Sequence, residues 1–151
     1  MNLKDFIRSI QDYPKKGILF RDITTLIKNE KAFAETINLI VEKSKKFNFN
    51  KIAAIESRGF VFASAVSYIL KKPFIMLRKK DKLPADVHSV DFELEYGTAT
   101  IEVHKDSINE NDTVLIIDDL IATGGTAEAA AKLIEMSKGK VSAFIFVINL
   151  F

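Results

Sequence analysis

The chain has 151 residues, 48% hydrophobic and 28% charged, which suits one domain with a buried core. Its formal net charge is only +2, so no global positive field marks it for nucleic acid, and it has no cysteine, which excludes disulfides, thiol catalysis and zinc–thiolate sites. No apolar run approaches the ~20 residues of a membrane span, and the acid-containing N-terminus lacks the apolar core of a signal peptide, so the cytoplasm is the expected location.

In chain order, Leu3, Phe6, Ile7 and Ile10 fall at helical spacing behind Asn2, a suitable N-cap, and predict a first helix. Pro14 and Gly17 punctuate the non-helical stretch that follows. Phe33, Ile37, Ile40 and Val41 predict an amphipathic helix over 31–46. KIAAIE (51–56) reads as a buried strand, SRG breaks it, and FVFASAVSYILKK (60–72) reads as a helix. PFIML (73–77) is a short strand, and RKKDKLPADVHS (78–89) a polar, basic loop. Val90, Phe92, Leu94 and Tyr96 alternate with acids, a half-exposed strand that Gly97 turns into a hairpin with TATIEVH. TVLII (113–117), a helix over 126–137 and VSAFIFVI (141–148) complete the chain.

Buried strands alternating with helices predict an α/β fold, a mostly parallel central sheet flanked by helices. The hairpin does not suit that sheet and is expected to form an excursion from it. In such sheets ligands bind beyond the carboxyl ends of the strands, so Glu56–Gly59, Arg78–Lys82 and Asp118–Thr126 are expected to meet there.

The third of these segments, VLIIDDLIATGGTAEAA (114–130), carries the most chemistry. A buried strand ends in two carboxylates, each of which would cost several kcal/mol if buried unpaired. They are expected at the mouth of the strand. ATGGT then supplies main-chain N–H groups with little obstruction, and the helix that follows adds a positive dipole end, so this turn can hold a phosphate without a lysine. Acids beside an anion site need a non-anionic partner. A sugar diol fits, because carboxylates only accept hydrogen bonds and hydroxyls donate them. A Mg²⁺ ion is the other partner such acids take. The composite is a site for a ribose 5-phosphate. Neither the Walker phosphate loop nor the dinucleotide fingerprint is present, since no lysine follows Gly125 and G-x-G-x-x-G is absent.

Taken alone, the other polar segments read more plainly. RKKDKLP is a solvated basic loop, Glu95 one of several acids on an exposed strand face, and Phe20 a core aromatic. His88 and His104 lack metal-ligand spacing and take structural roles.

VLIIDDLIATGGT also resembles the phosphoribosyl-pyrophosphate (PRPP) signature of type I phosphoribosyltransferases. GILFRDIT, IESRGFVF, RKKDKLP and ELEYGTATIEVHKDSI resemble, in the same order, segments of the members that act on adenine. The similarity covers residues 1–150. It implies one domain with a small hood and a flexible hairpin or loop, working as a homodimer in purine salvage. The implied reaction is Mg²⁺-dependent pentosyl transfer, adenine and PRPP giving AMP and pyrophosphate.

Carried onto this sequence, the resemblance places the 5-phosphate at Ala122, Thr123, Gly124, Gly125 and Thr126 and the ribose hydroxyls at Asp118 and Asp119. Pyrophosphate falls to Ser57, Arg58 and Gly59, in a turn with a non-proline cis peptide, and to Arg78, Lys79 and Lys82 of the basic loop. Leu19, Phe20, Arg21 and Leu150 would hold adenine; Glu95 would handle the proton near N7, and Tyr96 would help close the site. Glu95, Arg58 and Lys79 are the implied catalytic set, with no protein cluster for the metal, which binds mainly through PRPP and pyrophosphate.

The chain departs from the family pattern at Asp81, usually glycine, Thr25, usually proline, and Asn149, usually an acid. Members continue about a couple of dozen residues past the point where Phe151 stands, so the C-terminal part of the hood is expected to be short. The competing readings are a transferase for another purine and a non-catalytic PRPP-sensing regulator. GILFRD with EYG favours adenine, and the basic loop favours chemistry.

Overall fold

The segment expected to form a first helix makes one 3-10 turn, Leu3–Phe6, and then a strand, β1 (Arg8–Gln11). Asn2 does cap the turn, its side chain accepting from the Lys4 amide. Short helices are marginal in water, and here a partner strand wins: β1 pairs antiparallel with β2 (Leu19–Asp22), Ile10 opposite Phe20. The Arg8 Nε donates to Asp22 Oδ2 at 3.0 Å. Asp22 also accepts from the hydroxyl and amide of Thr24, and these bonds, that hydroxyl first, lower its carboxyl to about 2. A short α1 (Thr24–Ile27) and α2 (Glu30–Ser44) follow, α2 capped by the Asn29 side chain. The Thr25 hydroxyl donates to the Phe6 carbonyl, a bond that a proline here could not make.

The computed structural model of the chain describes residues 1–94, 97–121 and 124–149, in two compact units, Met1–Glu42 and Lys43–Phe151. In the second unit the order is β3 (Lys51–Ile55), α3 (Arg58–Leu70), β4 (Phe74–Lys79), β5 (Val87–Leu94), β6 (Gly97–His104), β7 (Thr113–Ile121), α4 (Gly125–Met136) and β8 (Lys140–Asn149). The six strands form one sheet in the order β5-β6-β4-β3-β7-β8. β4, β3, β7 and β8 are parallel; the β5–β6 hairpin is antiparallel. Parallel strands are covered on both faces, which is why 52–55 of β3 and 114–117 of β7 read as unbroken apolar runs. Ala53, Ile55, Val114 and Ile116 share a core with Ala130, Leu133 and Ile134 of α4. Their strand neighbours Ile52, Leu115 and Ile117 point the other way and are fully buried, as are Phe62 and Val66 of α3, which packs on β3 and β7.

The structure differs from expectation in the middle of the chain. β4 runs on through Arg78 and Lys79, which pair with Glu102 and Ile101 of β6. The hairpin therefore extends the sheet's edge, because this pairing satisfies backbone groups that an edge would leave open. The basic loop shrinks to 80–86, with His88 and Ser89 already in β5.

At the opposite end of the sheet from the strands' carboxyl ends, Lys51 Nζ lies 2.6 Å from the buried Asp112 carboxylate. Burial raises the Asp112 carboxyl, but bonds from Lys51, the Asn109 amide and Asn50 outweigh it and hold it below the usual 3.8. A lowered carboxyl stabilises the fold above that value and loses the contribution as pH falls. Asp112→Ala should cost about 3 kcal/mol in urea unfolding at neutral pH, since Lys51 would be left buried without its counter-charge. A loss under about 1 kcal/mol would mean that the pair behaves as a solvated one.

Candidate active site

From β3 the chain crosses through α3 to β4 on one side; from β7 it crosses through α4 to β8 on the other. β3 and β7 are adjacent, so the crossovers part between them and leave a crevice at their carboxyl ends. A cavity of about 530 Å³ sits there, lined by Glu56, Ser57, Arg58, Lys79, Asp118, Asp119, Gly124 and Thr126 among others.

Two helices begin at this cavity. Ser57 is the N-cap of α3 and Gly124 that of α4, and neither supplies a side-chain cap. The first N–H groups of both helices are thus left to other acceptors, and each helix start carries a partial positive charge. Gly124 has φ +89°, a left-handed conformation that a β-carbon would strain. The Glu56–Ser57 peptide is cis.

Asp118 and Asp119 lie inside β7 rather than beyond it, only 9% and 7% exposed. What permits this is a partner from α3: Arg58 Nε sits 2.9 Å from Asp119 Oδ2. Asp118 Oδ1 accepts from the Asp119 amide at 2.8 Å. Burial first, and the neighbouring Asp119 charge second, push the Asp118 carboxyl up to about 8. The pair therefore favours a shared proton at neutral pH. Gly59, expected in the pyrophosphate turn, packs against this pair: a β-carbon there would stand 2.9 Å from Asp118 Oδ1 and 3.2 Å from the Ile117 carbonyl.

Glu56 was expected only as the first residue of the segment 56–59 at this mouth, with no contact of its own. Its Oε1 accepts from the Lys79 amide at 2.7 Å and from Arg78 Nε at 3.3 Å, joining the ends of β3 and β4. Lys82 lines a second cavity, about 590 Å³, with Lys80, Phe92, Leu94 and Thr100; Glu56, Lys79 and Thr126 border both cavities. Asp81 adopts φ +65°, a left-handed conformation that glycine takes without strain. His104 Nε2 accepts from the Ala85 amide at 3.2 Å, and His88 pairs with Val103 across the hairpin. Gly125 opens α4 and faces a hollow beside Val90 and Phe92.

In the first unit, Leu19, Phe20 and Arg21 lie on β2. Phe20 meets the Tyr13 ring edge-on at 5.1 Å, and Arg21 Nη1 donates to Ser9 Oγ at 2.6 Å. Glu95, Tyr96, Ala122, Thr123 and Leu150 lie outside the described residues.

Acids and two helix starts meeting at the switch point of the parallel strands make a site suited to a phosphorylated sugar, and the chain belongs to the phosphoribosyl transferase family, whose domain it matches over residues 22–149. It is 80% identical, over all 151 residues, to adenine phosphoribosyltransferase of Pelagibacter ubique (strain HTCC1062), spanning 86% of that protein. It superimposes on adenine phosphoribosyltransferase of Thermoanaerobacter pseudethanolicus with a TM-score of 0.95 at 46% identity, covering 97% of this chain and 86% of that one. The Saccharomyces cerevisiae enzyme, complexed with adenine and an imino-altritol bisphosphate, gives a TM-score of 0.91 at 33% identity over 98% of this chain and 86% of that one.

Proposed function

We propose that this chain joins N9 of adenine to C1 of PRPP, forming AMP and releasing pyrophosphate, as a step of purine salvage. The observation that carries the reading is one cavity holding a buried acid pair, an arginine and two helix starts without side-chain caps, in a chain 80% identical to an adenine phosphoribosyltransferase.

The chemical problem is charge separation. The C1–O bond breaks with its electron pair leaving on pyrophosphate, and the sugar carbon becomes oxocarbenium-like before the N9 lone pair closes on it. Positioning and fixed electrostatics supply most of the catalysis. We assign the 5-phosphate to Ala122, Thr123, Gly124, Gly125 and Thr126 at the start of α4, and the ribose hydroxyls to Asp118 and Asp119. Ser57, Arg58 and Gly59, with Arg78, Lys79 and Lys82, take the departing pyrophosphate, and the positive start of α3 favours its charge. Leu19, Phe20, Arg21 and Leu150 hold the base, Glu95 receives the proton that adenine loses, and Tyr96 closes the site.

Among the described residues no three acids or histidines gather as a metal site. A Mg²⁺ ion would be held mainly by PRPP, and Asp118 and Asp119 are the acids of this cavity that could accept hydrogen bonds from its waters. Bound with pyrophosphate, it would neutralise charge on the leaving group. We take the homodimer from the family resemblance. Among the described residues no helix is long and apolar enough to cross a membrane. PRPP carries too much charge to cross a bilayer unaided, so we place the reaction in the cytoplasm.

The test is a purine panel. The protein is incubated with PRPP, Mg²⁺ and adenine, hypoxanthine or guanine in turn, and the nucleotide is identified by chromatography. We expect AMP, with adenine preferred by at least about 100-fold in kcat/KM, because a site that pairs with the base edge leaves polar groups unmatched against the wrong purine. Another nucleotide as the main product would reassign the base, and no nucleotide at all would remove the enzymatic reading.

A further inference from the structure

The basic loop 80–86 is held from below by β6, at two points. The Asp81 amide donates to Glu102 Oε1 at 2.9 Å, and the Ala85 amide to His104 Nε2 at 3.2 Å. Residues 102 and 104 lie on one face of their strand, by the two-residue period of β structure.

The Glu102 end is unusual on three counts. The side chain is only 6% exposed, and a buried carboxylate is costly unless its oxygens are satisfied. Both are: Oε1 takes the Asp81 amide, and Oε2 takes the hydroxyl of Ser89, its cross-strand neighbour. These bonds, the Ser89 one first, hold its carboxyl below the usual value, so it is charged at neutral pH. The residue it grips is itself strained, since Asp81 sits at φ +65°. Purely structural edge pairs do not need a charge here; threonine or valine would serve. The cost is instead placed where Lys80 and Lys82, one residue either side of Asp81, line the cavity of about 590 Å³ that shares Lys79 and Glu56 with the acid-pair cavity.

We propose that Glu102 is a positioning residue for phosphoribosyl transfer: it fixes Asp81 in the left-handed conformation and so aims Lys80 and Lys82 at the polyphosphate side of the site. This rests on the proposed function above. Glu102 touches no substrate, and it acts through the loop backbone.

The experiment is steady-state kinetics on Glu102→Gln, with adenine and PRPP varied separately and thermal unfolding recorded alongside. The neutral amide keeps the shape but weakens the grip on the Asp81 N–H. The KM for PRPP should rise about 5- to 20-fold and the KM for adenine by less than twofold. Adding Asp81→Gly should recover most of the PRPP effect, because glycine takes the left-handed conformation without help. Should Glu102→Gln fail to fold, Ser89→Ala loosens the same carboxylate and should raise the PRPP KM about threefold. Equal rises in both KM values, a lowered melting temperature with unchanged KM for PRPP, or no recovery with glycine would each overturn the proposal. Wild-type protein that makes no AMP would instead sink the reading of the reaction itself.

Discussion

Asp118→Asn is expected to make the protein more stable and a poorer binder of PRPP. In the fold the Asp118 carboxyl is raised to about 8, burial being the main cause. The unfolded chain releases that proton near 3.8, so between these values the folded state holds a proton that the unfolded state does not. Stability therefore falls as pH climbs from about 4 to about 8 and then levels off. Asparagine is neutral throughout and escapes that penalty. At pH 7.5 the variant should gain about 1–3 kcal/mol, or roughly 3–10 °C in melting temperature for a domain of this size. The gain should vanish near pH 4. PRPP affinity should drop about 10- to 100-fold, since the amide nitrogen cannot become the acceptor that the Asp118 carboxyl offers a sugar hydroxyl once binding displaces the shared proton. Thermal unfolding across that pH range, paired with calorimetric titration of PRPP, checks both halves. A stability difference that does not change with pH would show that Asp118 ionises normally.

Gly59→Ala is expected to damage the same site from behind. Alanine is the better helix former, worth about 0.5–1 kcal/mol in an ordinary helix. Here its β-carbon would press on Asp118 Oδ1 at 2.9 Å and on the Ile117 carbonyl at 3.2 Å. The carbonyl belongs to the central sheet and cannot retreat, so the carboxylate moves instead. Its hydrogen bond from the Asp119 amide is lost or bent. We expect a net loss of about 1–3 kcal/mol in stability from overpacking, and at least tenfold weaker PRPP binding. Valine should be worse. A Gly59→Ala protein with wild-type melting and affinity would mean that α3 can shift off β7, and that the close approach matters little.

The sequence by itself determined most of the framework. β3 and the 114–117 run of β7 were legible because strand segments buried on both faces are apolar, β8 because its run 143–148 is apolar, and α2, α3 and α4 because helical periodicity is local. The acid pair was legible as the end of the apolar run 114–117, although its burial inside β7 was not. Tertiary structure decided the rest, wherever the deciding partner lay far along the chain. Residues 8–11 became a strand because residues 19–22 offered a ladder. β7 could carry two acids inside the sheet because Arg58 reaches Asp119 from a helix some sixty positions earlier. The hairpin joined the sheet through two residue pairs with β4, and Glu102 and His104 found their work only when that pairing laid β6 under the basic loop. A periodicity reports which face of an element is buried; it cannot report what will lie against it, and charge compensation, edge pairing and close backbone approach all depend on that second fact.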